Sequence, residues 1–409
     1  MLPVQISNQS ASRLEEDKPL SLSLISSPVR ESFNGTLLVI GLGTIGLGVI
    51  PLLLKHLDFS SCPGGASSAI RIITGPDRLA QAKDLHFNLG ISYQIVFLTE
   101  SNFTAVLDAY RLGDEGKQDL ILNLSVDVSS CALLAYCHDH GVLYCDTVTE
   151  PWEGVYYDPT LSLSARSNYA MREDALVLKR KYGPASPTAV ITCGANPGLV
   201  SFFVKEALLE LKREGGDKDG TAEEKKSAPG EASAFAREDW AHLAMDLGLQ
   251  SVHIAERDTQ FSAQRKAKGE FVNTWSVDGF LSEGNQPAEL GWGTHEKVLP
   301  SDACEHDFGP RSAILLKQPG ASTLVRSWTP QHGPFHGFVI THSESISIAT
   351  YLTLFSPEGE LAYRPTVHYS YLPCDDAILS LHELRGNNYG IISFFPIAFS
   401  RALSPSLSL

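Results

Sequence analysis

Three glycines, Gly41, Gly43 and Gly46, follow the apolar run Leu37 to Ile40 with G-x-G-x-x-G spacing and lead into a second apolar stretch of helical character. A strand, a tight turn and a helix start suit the holding of a pyrophosphate. The first glycine permits the turn, the second lets backbone approach the phosphates, and the third lets helix and strand pack closely. A helix start also offers unpaired N–H groups and a positive dipole end, which adds Thr44 and Ile45 to the candidates. The spacing alone is also met in glycine-rich turns of other α/β proteins. Polar residues recur after later apolar runs: Asn123, Ser125 and Asp127; Asp146, Thr147 and Glu150; Gly194, Asn196 and Pro197. Asp, Asn and Ser serve turns and caps as readily as chemistry, so Asp127 and Glu150 stay open between the two on position alone. Far along the chain, Trp275 shares an acid-rich region with Glu256 and Glu283. An aromatic face beside carboxylates binds an alkylammonium by cation–π contact, charge pairing and hydrogen bonding. A plain core role for Trp275 is the other reading.

The elements that must position these groups follow from periodicity. After the opening strand, strand-like runs recur at Ile70 to Thr74, Tyr93 to Leu98, Leu120 to Leu124, Val142 to Cys145 and Ala189 to Cys193, separated by helical stretches or long connections. Six strands in that alternation predict an α/β fold with a Rossmann-type doubly wound parallel sheet, over residues 34 to 211. Ligands of such sheets sit beyond the C-terminal strand ends, which makes Asn123, Ser125, Asp146 and Thr147 cofactor candidates. The second strand reads IRIITGPDR and carries Gly75 where an acid for the ribose hydroxyls is expected. Asp77 is the substitute, and Arg78 beside it leaves room for a 2′-phosphate, so this loop does not separate NAD from NADP.

Residues 1 to 33 are Ser-rich with mixed charge and no sustained period, the pattern of a disordered leader. Residues 212 to 233 are rich in Gly, Lys and Glu and predict a flexible insertion. Periodic structure resumes in a helix over Glu238 to Leu247, with Trp240, Leu243, Ala244 and Leu247 at helical spacing. It opens a second α+β domain, residues 234 to 386, with a mixed sheet, the part to which the resemblance given below assigns substrate binding and dimerisation. The alternation over Val272 to Phe280 predicts one of its strands.

The 409 residues have a formal net charge of −15, 43% hydrophobic and 19% charged residues. That acidic balance argues against nucleic acid as a partner and suits cationic ligands. No apolar run approaches the roughly 20 residues of a membrane span, and no signal pattern opens the chain, so a cytoplasmic protein is expected. The seven cysteines are scattered without a C-x-x-C pair, which suggests neither a disulfide framework nor a metal site.

Longer stretches carry a resemblance. NLSVDVSS (123–130), DTVTEPWEG (146–154), CGANPGLVS (193–201), HIAERDTQ (253–260), NTWSVDGFLSEGNQPAELGWGT (273–294), VRSWTP (325–330) and YRPTVHYSYLPCDDA (363–377) resemble the homospermidine synthases of the saccharopine dehydrogenase-like group. The likeness runs in order over residues 35 to 385. It implies NAD-dependent aminobutyl transfer from putrescine or spermidine to putrescine, giving homospermidine, by oxidation to an imine, exchange with a second amine and re-reduction. It also implies a homodimer. By motif match, Trp275, Glu283 and Glu256 hold the diamine, Asn196, Glu150 and Asp127 surround the reacting nitrogen, and His342 of THSES handles protons. The family usually has Asn where Ser343 stands. After residue 386 the likeness stops, and residues 387 to 409 are expected to be an aberrant tail. The alternatives are an inactive truncated homologue, or a saccharopine- or carboxyspermidine-type dehydrogenase, which would want basic residues facing a carboxylate.

Overall fold

The structure is a computed structural model that describes residues 30–114, 116–216, 237–263 and 266–386. The expected leader up to residue 29, the insertion beyond residue 216 and the tail from residue 387 lie outside the described residues. The described residues already form structure ahead of the expected residue 34. Glu31 and Ser32 pair with Leu57 and Asp58, and the ring of Phe33 meets that of Phe59 edge-on at 5.6 Å.

Six strands form the first sheet: β1 Leu37–Ile40, β2 Ile70–Thr74, β3 Ser92–Ile95, β4 Leu120–Asn123, β5 Leu143–Asp146 and β6 Ala189–Val190. All pairs are parallel, in the order β3-β2-β1-β4-β5-β6. Strands buried on both faces read as unbroken apolar runs, and β1 does so. Leu37 and Val39 enter one core, while Leu38 and Ile40 enter the other. Helix α1 (Thr44–His56) follows β1, α2 (Leu79–Leu89) follows β2, and α3 (Ser130–His140) joins β4 to β5. Between β5 and β6 runs α4 (Asn168–Tyr182). The strand order reverses between β1 and β4, so the crevice for a ligand opens above Ile40 and Asn123.

Helix α5 (Leu199–Gly216) leaves the end of this sheet and joins the second body. Its Leu208 and Leu209 pack into one core with Trp240, Ile254, Phe280, Tyr369 and Tyr371. The expected boundary at residue 211 therefore falls inside a helix, and residues 212 to 216 of the expected insertion continue it. Helix α6 (Arg237–Asp246) brings Trp240, and α7 (Val277–Asn285) brings Phe280.

The second sheet contains β7 Ser251–Arg257, β8 Pro287–Gly291, β9 Ala303–Glu305, β10 Ala313–Pro319, β11 Leu324–Thr329, β12 Gly333–Val339 and β13 Thr366–Leu372. Its order is β9-β10-β8-β13-β12-β11, with β7 added on β13. The β7–β13 pair is parallel and the others are antiparallel, the mixed sheet that was expected. Helices α8 (Ser343–Tyr351) and α9 (Asp375–Gly386) complete the layer that covers its apolar face.

The strand expected over Val272 to Phe280 is not formed. Ser276 caps a helix there instead, its hydroxyl accepting from the Gly279 amide at 3.0 Å, with Asp278 in the positive first turn. Val277, Phe280, Leu281 and Gly284 keep helical spacing, and Phe280 and Gly284 are buried. Capping chemistry outweighed a short run of alternation.

Candidate active site

The glycine loop has the geometry its spacing implies. Gly41 has φ +96°, and a β-carbon there would lie 2.7 Å from the Leu124 carbonyl oxygen. At Gly46 it would lie 2.5 Å from the Gly41 carbonyl oxygen, whereas at Gly43 it would meet nothing within 4 Å. The first and third glycines thus serve the turn and the packing, and the second leaves an open cradle. Helix α1 begins just after Gly43 with Thr44 and Ile45 and has no acid in its first turn to repel a phosphate. Asp77 lies at the end of β2, its Oδ1 2.8 Å from where a Gly75 β-carbon would stand, and it pairs with Arg78 at 3.0 Å. These residues fit a dinucleotide with its ribose over β2.

The rim residues divide. Asn123 is buried, and its side-chain oxygen accepts from the Ser125 amide at 3.2 Å and from the Ser125 hydroxyl. It shapes the turn beside Gly41. Asp146 is fully buried rather than open to the crevice. Its oxygens accept from the Thr192 amide at 2.6 Å and the Tyr144 hydroxyl at 2.9 Å, so it ties the end of β5 to the segment after β6. Burial pushes its pKa up to about 6 against those hydrogen bonds. Ser125 and Thr147 remain partly accessible.

The remaining candidates come together beyond the strand ends. Glu256 on β7 accepts from the Asn196 side-chain amide at 2.6 Å and from the Tyr369 hydroxyl of β13 at 2.8 Å. Asn196 therefore sits against the carboxylate to which the resemblance gives the diamine. Trp275 is half-buried; its indole N–H donates to the Tyr371 hydroxyl at 3.3 Å and its ring meets Phe280 edge-on. His342 lies in contact with the Tyr369 ring, centroids 4.3 Å apart, and its Nδ1 is 2.8 Å from Glu344 Oε2.

Four carboxylates form an electrostatic chain. Desolvation pushes Glu150 up to about 8, with Asp127 and Glu283 adding repulsion and the Tyr156 hydroxyl opposing it. Desolvation likewise raises Glu283 to about 7, where Glu256 adds to the rise and His342 opposes it. Asp127, at φ +60°, is also raised, by burial and then by Glu153 and Asp278. Glu283 keeps some accessible surface although it lies deep in the protein. Two desolvated acids, Glu150 and Glu283, that hold protons near neutrality are prepared to exchange them for a bound cation. Among the described residues no cluster suited to a metal ion occurs, and no helix is long and apolar enough to cross a membrane.

Sequence reasoning missed Tyr156, Tyr369 and Glu344. Two lie in stretches that carried the resemblance, Tyr369 in YRPTVHYSYLP and Glu344 in THSES beside His342.

Comparison with known proteins decides the family. The saccharopine dehydrogenase NADP binding domain matches residues 37–190, and the saccharopine dehydrogenase C-terminal domain matches 194–399. The homospermidine synthase of Blastochloris viridis is 46% identical over 360 residues, 88% of this chain and 71% of that protein. The chain belongs to the homospermidine synthase family. The homospermidine synthase of Mesorhizobium japonicum is 43% identical, over 88% of this chain and 70% of its own length. A crystal structure of the homospermidine synthase from Legionella pneumophila in complex with NAD superposes with a TM-score of 0.73 at 39% identity, covering 88% of this chain and 70% of that one. The homospermidine synthase fold thus accounts for both sheets.

Proposed function

We propose that the chain is an NAD-dependent transferase that makes homospermidine from putrescine, with spermidine as an alternative aminobutyl donor. What carries the reading is the acid chain Asp127–Glu150–Glu283–Glu256 beyond the ends of a dinucleotide-type sheet. It suits a diamine dication and opposes the carboxylated substrates of other saccharopine dehydrogenase-like enzymes.

The Gly41–Gly46 loop, the α1 N-terminus and Asp77 would hold NAD, which would supply hydride acceptance and hydride donation. The residues do the rest. The reacting amine must be neutral before its carbon can give up hydride, so a carboxylate has to accept a proton. Glu150, with the charge of Asp127 acting on it, is suited to that nitrogen, and Asn196 reaches it from the Glu256 side. The far ammonium stays charged and needs Glu256, Glu283 and the Trp275 face. Two hydrogen bonds already fix Glu256, so the anchor is set before substrate arrives. His342, beside Glu283, carries protons as ammonia leaves and the second amine adds. The protein is further proposed to act as a cytosolic homodimer, which light scattering on the eluted peak tests.

The test is product analysis by liquid chromatography and mass spectrometry with putrescine, with and without NAD. Homospermidine that forms only with NAD, and without accumulation of NADH, supports the proposal. Absence of product from soluble, cooperatively melting protein would leave the fold assigned and the activity refuted.

A further inference from the structure

Glu344 is a carboxylate side chain buried in the first turn of α8. It is 2% exposed, and its two oxygens face two different parts of the site. Oε1 accepts from the Gly198 amide at 2.8 Å, two residues after Asn196 in the segment that follows β6. Oε2 lies 2.8 Å from His342 Nδ1. An acid in the first turn of α8 complements the helix dipole, but that role needs neither burial nor a partner 146 residues away. The contact to Nδ1 has the distance of a hydrogen bond without its alignment, since neither atom has a well-angled partner.

We infer that Glu344 is a positioning residue that holds His342 as the Nδ1–H tautomer, leaving Nε2 free for the substrate, and couples the ring to the Asn196 segment through Gly198. The inference rests on the proton-handling role proposed for His342. An imidazole with one nitrogen donating to a carboxylate presents the other as an acceptor. The titratable groups that face the ring are Glu344 from α8, Glu283 from α7 and Tyr369 from β13, with Glu256 of β7 behind Tyr369. Of these, Glu344 alone lies at hydrogen-bond distance from a ring nitrogen. The same carboxylate thus sets both the direction of the imidazole and the place of Asn196.

The experiment has two arms. In the first, ¹⁵N NMR of histidine-labelled wild-type protein reads the tautomer of His342, assigned by its loss in His342→Asn. Nδ1–H is expected, and Glu344→Gln is expected to shift the population towards Nε2–H. An Nε2–H tautomer in the wild type would overturn the inference, whether or not the protein makes homospermidine. In the second, Glu344→Gln is expected to lower kcat roughly 10- to 100-fold, within the range of general acid–base contributions. KM for putrescine and the affinity for NAD are expected to hold, and the pH profile to move. The double variant Glu344→Gln/His342→Asn is expected to be no slower than His342→Asn alone. Independent, multiplying losses would show that Glu344 does not act through His342. A wild type with the expected tautomer and no homospermidine would sustain the positioning and refute the activity instead.

Discussion

The two ends of the site are built from different materials. At the dinucleotide end, backbone does the work, through the Gly41–Gly46 turn and the amides at the start of α1. At the end proposed for the diamine, side chains from five distant segments converge: Glu150, Asn196, Glu256, Glu283 and His342. A site made of backbone tolerates no added atom, because its shape is its function. A site made of side chains tolerates changed shape better than changed charge. Variants should separate the two ends cleanly.

The largest effect is expected from Glu283→Gln, which keeps volume and removes the charge. Homospermidine turnover should fall by roughly 100-fold or more, the scale of lost acid–base and charge pairing, while calorimetry shows NAD affinity retained. Loss of NAD binding in this variant would break the comparison. Gly46→Ala is its converse. A β-carbon 2.5 Å from the Gly41 carbonyl oxygen forces the turn apart. NAD affinity should weaken by roughly 10- to 100-fold, equivalent to an overpacking cost of 1–3 kcal/mol. Trp275→Ala should raise KM for putrescine about 3- to 30-fold, corresponding to a cation–π contribution of 0.5–2 kcal/mol, with NAD titrations unchanged.

The smallest effect is a pH dependence. Glu150 is raised to about 8 and Glu283 to about 7 by desolvation, so between pH 4.5 and 8 the folded protein holds protons that the unfolded chain releases. Stability from these groups is complete at the acidic end of that window and is lost as the pH rises through it. The melting temperature of diamine-free protein should fall from pH 5 to 8. Glu150→Gln should flatten that slope, and putrescine binding near pH 7 should release protons that calorimetry in two buffers detects.

The same contrast explains what could be read from sequence. The Gly41–Gly46 turn is local, so its spacing stated its shape, and the apolar runs of β1, β2 and β4 stated the sheet. The diamine end depends on the parallel pairing of β7 with β13, which brings Tyr369 to Glu256 across 113 residues. No local period encodes that register, and these side chains were legible only as family motifs. Tyr369 and Glu344 sat inside those motifs without a role because their importance lies in partners elsewhere. Asp146 shows the opposite relation. Its place after β5 is that of a ligand contact, while its partners, Tyr144 and the Thr192 amide, make it an internal tie. At Val272 to Phe280, one serine hydroxyl at a helix start turned an alternating run into α7.

Helix α5 links the two ends mechanically. It starts immediately after the Asn196 segment and carries Leu208 and Leu209 into the second core, and its 18 residues span about 27 Å. The stretch just before it, between β6 and α5, carries Asn196 and includes Thr192 at φ +55° and Gly198 at φ +129°. Asn196 donates to Glu256 across 60 residues, so the chain passes from one body to the other at a residue of the proposed site. Helix α4 supplies a second tie, the Asn168 amide donating to Glu289 and the Tyr169 hydroxyl to the Phe308 carbonyl, so the two bodies are fastened at both flanks of that crossing.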